Sequence, residues 1–168
     1  MGFLSWIFGD KSNIKPEKNT SHSQENVDRT IKFHPDLVEK LTGDHQAIVA
    51  LYSEMVELVQ IRQYHSLSLK VSEFKTALQS HVIVENVQFY TYLENKLSDD
   101  PTNLEFIKDV RKEMNGIAHA VVRFAKQYEK VTFTDQLRET FIKDLDDIGT
   151  VLTKRVAMEE SQLYTLYN

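Results

Sequence analysis

Four long stretches of this chain place apolar residues at alternating spacings of four and three, the rhythm of helices that each bury one stripe. The first stripe runs Leu41, His45, Ile48, Tyr52, Met55 and Val59, and the second Val71, Phe74, Leu78, His81, Glu85, Gln88 and Tyr92. The third is Ile107, Val110, Met114, Ile117, Val121, Phe124 and Tyr128; the last is Leu145, Ile148, Leu152, Arg155, Glu159 and Leu166. None of the long segments alternates with the two-residue period of a half-buried strand, and 5 Gly and 3 Pro leave few breaks. The breaks fall near Gln63 to Ser66, Ser98 to Asp100, and Val131 to Thr134. Asp100 before Pro101 is a good helix start, and Thr134 is placed to cap the last helix. Short connections between four such helices predict an all-α, antiparallel up-down four-helix bundle over residues 33–168.

Each stripe is apolar except where His, Glu or Arg interrupts it. An inward-facing charge costs several kcal/mol unless it is paired or bound to metal, so these interruptions need a reason. His81 and Glu85, one turn apart, project side by side and suit one metal ion or two neighbouring ones. The spacing alone is a weak signal, because 6 His and 25 acidic residues give about one chance occurrence per chain of this composition. Position on the stripe strengthens it, and so does an internal repeat. Residues 81–91 align with 155–165, matching Val82 with Val156, Glu85 with Glu159, Gln88 with Gln162, Tyr90 with Tyr164 and Thr91 with Thr165. The same 74-residue offset, from 81 to 155, carries His45 to His119. The two halves read as copies of a helical hairpin about an approximate two-fold axis. Under that symmetry His45, His119, Glu85 and Glu159 surround a shared centre, and His81 faces Arg155. Two carboxylates flanked by histidines suit iron or manganese.

The rest of the composition removes other functions. With no cysteine, thiolate catalysis, disulfides and Cys-based metal sites are excluded, and a reducing, cytoplasmic setting is expected. A formal charge of −5 without a basic run argues against nucleic acid as a partner. No glycine-rich phosphate loop and no placeable Ser-His-Asp pattern supports nucleotide binding or hydrolysis. Residues 1–32 form a separate N-terminal segment, with an apolar start at Phe3, Leu4, Trp6, Ile7 and Phe8 and a polar, flexible linker after it. The apolar run is too short to span a bilayer and lacks the shape of a secretory signal. Through residues 1–9 the chain can lie peripherally on the inner membrane, dock on a partner, or fold back on its own bundle. A myristoylation motif is not met, since Trp6 stands where Ser or Thr is needed. His22, His34 and His65 fall in the linker, at a helix start and in a loop, where histidine is ordinarily a solvated residue. Tyr52, Tyr92 and Tyr164 are read as packing residues with a hydroxyl to satisfy; Glu160 is an alternative to Glu159 as the carboxylate of the last helix, but stripe and repeat both favour Glu159.

The segments Gly43-Asp44-His45, His81 to Tyr90, that around His119, and Glu159 to Tyr164 resemble the successive signatures of the hemerythrin (HHE cation-binding) family over residues 34–168. The resemblance implies a non-haem di-iron centre, bridged by one carboxylate from the second helix and one from the fourth, that binds O2 or another small diatomic. Branches of the family are linked to iron-centre repair under nitrosative stress, to oxygen sensing and to iron handling. The expected metal ligands are therefore His45, His81, Glu85, His119 and Glu159. Two positions depart from the pattern: Arg155 and Arg123 stand where the family has histidine. A guanidinium has no lone pair to ligate with. By family analogy His45 and His81 serve one iron, while the second would rely on His119, 123 and 155. The expected site is asymmetric: one well-held ion, with Arg155 supplying the charge of the other. A binding module for O2, NO or iron is expected, rather than an enzyme acting on an organic substrate. The alternative is a metal-free degenerate bundle that serves as an interaction module.

Overall fold

A computed structural model describes residues 32–168, so the expectations for residues 1–31 lie outside the described residues. Five α-helices appear: α1 (Leu37–Gln60), α2 (Tyr64–Val84), α3 (Thr91–Lys96), α4 (Pro101–Tyr128) and α5 (Asp135–Met158). α2 runs into α3 through a π-helical turn, Glu85–Tyr90, so the two make one rod. α5 likewise continues into a π-helical turn, Glu159–Leu163, and a short 3-10 turn, Tyr164–Leu166. The result is four helical rods, with no strand among the described residues. α1 packs on α2 and α5, and α4 packs on the same two, which closes a bundle.

The helix ends follow local chemistry. Asp100 caps α4 by accepting from the Asn103 N–H at 3.1 Å, with Pro101 in the first turn. Thr134 precedes α5 in an extended conformation, but its side chain makes no capping hydrogen bond. Its carbonyl instead accepts from the Leu137 N–H at 3.0 Å. Arg62, at a φ of 59°, turns the chain between α1 and α2, and its guanidinium pairs with Asp135 at 3.0 Å.

The π-helical turns correct the two stripes that cross them. A π turn inserts one residue into the α-helical rhythm and shifts the buried face by one position. After Glu85 the buried residues are Phe89, Tyr90 and Leu93, in place of the half-buried Gln88 and Tyr92. After Glu159 they are Leu163, Tyr164 and Tyr167, and Leu166 is exposed.

The core is split in two. One apolar cluster, with Ile48, Phe74, Leu78, Met114, Phe124 and Leu152 among its members, fills the longer part of the bundle. A second, around Leu41, Phe89, Ile107, Val110, Leu163 and Tyr164, fills the other end. On α1 the change of cluster falls between Leu41 and Ile48, on the second rod between Val82 and Phe89, and on α5 between Leu152 and Leu163. Of the buried polar residues among those described, His45, Glu85, Arg155 and Glu159 occupy those three intervals and His81 directly precedes the second. On α4 the change falls between Val110 and Met114, and α4 contributes no buried polar residue there.

Candidate metal centre

The polar layer is built by three rods. α1 supplies His45, α2 supplies His81, and Glu85 and Glu159 each open a π-helical turn. The two turns are related by the sequence repeat and are made in the same way. The Glu85 N–H reaches the carbonyls of both His81 and Val82, and the Glu159 N–H those of Arg155 and Val156. Carbonyls released by such a turn need other partners. The Asn86 carbonyl accepts from Arg111 Nη2 at 3.0 Å and from the Thr91 hydroxyl at 2.9 Å. π turns are rare and cluster at functional sites.

His45 Nε2 lies 3.1 Å from Glu159 Oε2, and His45 Nδ1 lies 2.8 Å from Glu160 Oε1. The His45 and His81 rings are 4.6 Å apart, centre to centre. His81 Nε2 is 3.8 Å from Glu85 Oε2. Tyr164 donates its hydroxyl to Glu85 Oε1 at 3.3 Å and is equally close to His45 Nε2. On the other flank Arg155 donates through Nε to Glu159 Oε1 and through Nη2 to the Tyr90 hydroxyl. Its Nη1 is 3.6 Å from Glu113 Oε2.

Several buried atoms have no hydrogen-bond partner: both ring nitrogens of His81, Glu85 Oε2, Glu159 Oε2 and Arg155 Nη1. Orphaned buried polar atoms are costly and call for an explanation. Their chemistry supplies one. When His45 Nδ1–H donates to Glu160, Nε2 turns a lone pair toward the Glu159 carboxylate, and two acceptors 3.1 Å apart need a positive charge between them. Ligand atoms of His45, His81 and Glu159 all lie within 4.8 Å of one another, a group able to hold a metal ion. Two imidazoles with one or two carboxylates suit iron or manganese.

The electrostatics agree. Burial pushes the Glu85 carboxyl up to about 8, with repulsion from Glu159 adding to it. Burial drives His81 down to about 4, helped by the nearby His45. Burial opposes a charge on His45 too, but its bonds to Glu159 and Glu160 outweigh that and hold it above the ordinary histidine range. Glu159 stays below the usual carboxylate range despite burial, because His45 and Arg155 both favour its charge. Without a cation, then, the surroundings favour a proton on His45 and on Glu85. Those are the groups a bound cation would strip of protons.

Of the residues expected to ligate, the structure brings together His45, His81, Glu85 and Glu159. His119 is not among them. It is exposed on α4, where Ile117, Ala120 and Val121 are buried. Arg123, the other position taken from family analogy on this helix, is exposed as well. Glu160 does not replace Glu159: it is 40% exposed at the side chain and holds the outer nitrogen of His45. Sequence reasoning missed Tyr90 and Asp44 as neighbours of the site. The repeat pairing Tyr90 with Tyr164 pointed to the first. Asp44, off the stripe, gave no signal.

Among the described residues no helix is long and apolar enough to cross a membrane. No curated protein and no solved structure matches the chain. A family model does: the hemerythrin HHE cation-binding domain matches residues 36–167, which spans all four rods and every residue of the polar layer. The chain belongs to the hemerythrin HHE cation-binding family.

Proposed function

We propose that the bundle, residues 33–168 in antiparallel up-down order, is a non-haem iron module that binds, senses or handles O2, NO or iron. The observation that carries this reading is the set of unpartnered inward atoms on His81, Glu85 and Glu159 around the His45–Glu159 contact. His45, His81, Glu85 and Glu159 would hold one ion. Iron bound there would supply an open ligation position for a small diatomic, within apolar walls that limit water. Arg155 supports a single ion, since its guanidinium already neutralises Glu159 where the repeat would place a second histidine. His119 stays outside this ligand set because of its exposure. A cytoplasmic setting, where ferrous iron persists, belongs to the same reading.

The same Arg155–Glu159 pair favours one rival, a metal-free bundle that acts as an interaction module. Iron content and the visible spectrum of the full chain, expressed with ample iron, separate the two. One iron per chain, lost in His81→Ala with the helical circular dichroism intact, supports the iron module. No iron in the wild-type chain supports the rival, and two irons with an oxo-bridge absorption band would overturn the single-ion reading.

A further inference from the structure

Both histidines of the layer are addressed from outside by a carboxylate that the ligand set does not use. Glu160 Oε1 stands 2.8 Å from His45 Nδ1, and Asp44 Oδ2 stands 3.7 Å from His81 Nδ1. On the inner side each Nε2 faces a buried carboxylate, Glu159 for His45 and Glu85 for His81. The outer pair is cross-braced between helices. Asp44 and His45 are neighbours on α1, yet Asp44 addresses α2 while His45 is held from the turn after α5.

Resting on the iron reading above, we propose that Glu160 is a positioning residue that fixes the His45 ring proton on Nδ1 and so presents its Nε2 lone pair to the core, and that Asp44, through its charge, biases the His81 ring the same way. A neutral imidazole carries one N–H, and whichever nitrogen donates leaves the other to ligate. Carboxylates behind metal-bound histidines set that choice and the ring orientation, and their loss weakens metal binding about ten- to a hundredfold.

The two braces are unequal. The Glu160 contact is a full hydrogen bond, whereas 3.7 Å is beyond one. The reason is a competitor: Lys40 Nζ holds the same Asp44 Oδ2 at 2.6 Å. Lys40, half exposed at the side chain, thereby draws Asp44 away from His81. It acts as an attenuator of the site. Glu160 also lines a groove of about 510 Å3 between α1 and α5, with Ile48, Tyr52, Leu152 and Val156 on its walls, so its brace is open to solvent.

The test reads the proton directly. In the metal-free full chain, 15N chemical shifts of the histidine rings, recorded above the histidine titration range, report which nitrogen is protonated. Wild-type His45 is expected with its proton on Nδ1. Glu160→Ala is expected to lose that preference and to weaken ferrous iron binding by about ten- to a hundredfold. Glu160→Gln, whose amide oxygen still accepts, restores both. Asp44→Ala is expected to shift the His81 ring in the same sense but by less, since no hydrogen bond is lost. Lys40→Gln strengthens iron binding in the wild-type background and has no effect in Asp44→Ala. A His45 tautomer and an iron affinity that Glu160→Ala leaves unchanged would overturn the proposal, and a Lys40→Gln gain that survives Asp44→Ala would remove the attenuator. If the wild-type chain takes up no iron, the iron reading fails while the ring-nitrogen shifts still judge the braces.

Discussion

Arg155 donates through Nε to Glu159, the carboxylate one turn farther along its own rod, and does so from the position that the internal repeat pairs with His81. The two halves of the bundle thus present one carboxylate each at a π-helical turn, but one half offers an imidazole beside it and the other a fixed cation. Arg155 is 3% exposed; its charge faces Glu159 and, at 3.6 Å, Glu113, while the Tyr90 hydroxyl accepts one of its N–H groups.

Removing one partner of a buried ion pair leaves the other charge unpaired, which costs about 3–5 kcal/mol, more than the pair itself contributes. Arg155→Met keeps most of the side-chain volume and removes the charge. Metal-free Arg155→Met is expected to lose stability of about 3–5 kcal/mol in chemical denaturation, with part of the loss recovered when ferrous iron is added. A loss below about 1 kcal/mol would show that Glu159 is not held by Arg155.

Much of this centre was legible in the sequence. Helix stripes put His45, His81, Glu85 and Glu159 inside because a charged residue at a core position of a 3.6-residue rhythm has nowhere else to go. The repeat was legible as well, and it marked both π-helical turns without revealing them. What periodicity cannot see is the extra residue that a π turn inserts, which is why Gln88 and Leu166 lie off the buried face and Phe89 and Leu163 on it. Half-exposed partners such as Asp44 and Glu160 follow no stripe at all, and only geometry ties them to the histidines.

Gly149 is the place where α5 admits a large neighbour. A Cβ there would run into the Tyr52 hydroxyl oxygen and lie 2.5 Å from its Cζ, so the ring rests directly on the helix backbone. Alanine in a helix interior ordinarily gains up to about 1 kcal/mol over glycine. Here the stiff ring must swing away, and overpacking of this kind costs about 1–3 kcal/mol. Gly149→Ala is expected to destabilise the chain, and Tyr52→Ala is expected to reverse the sign of that change. The four chains of the cycle, compared by denaturant unfolding, check it; a stabilising Gly149→Ala in the wild-type background would refute the close contact.

Asp100 carries a pH dependence whose sign is fixed by its cap. The backbone and side-chain amides of Asn103 hold its carboxyl below the ordinary value of 3.8. A carboxyl whose folded value is depressed binds protons less readily in the native state, so its contribution is present above the unfolded value. It disappears as pH falls through the folded one. The difference in stability between the wild-type chain and Asp100→Ala is therefore expected to be full at neutral pH and to shrink in acid below 3.8. Thermal unfolding of both chains across that range tests it, and a difference that is constant in acid would mean the cap does not depend on the carboxylate charge.

His119 tests where the two-fold symmetry ends. The 74-residue offset holds for the second rod and its copy, but not for the rods before them. α4 has 28 residues to the 24 of α1, and the connection after it spans 129–134 where the first hairpin needs only 61–63. On α4 the buried positions around it are Ile117, Ala120 and Val121, which turns His119 to solvent. His119→Ala is accordingly expected to retain the iron content and the visible spectrum of the wild-type chain, against complete loss in His81→Ala. A drop in iron affinity of tenfold or more in His119→Ala, about 1.4 kcal/mol, would mean that α4 rotates toward the core when the ion binds, and would return His119 to the ligand set.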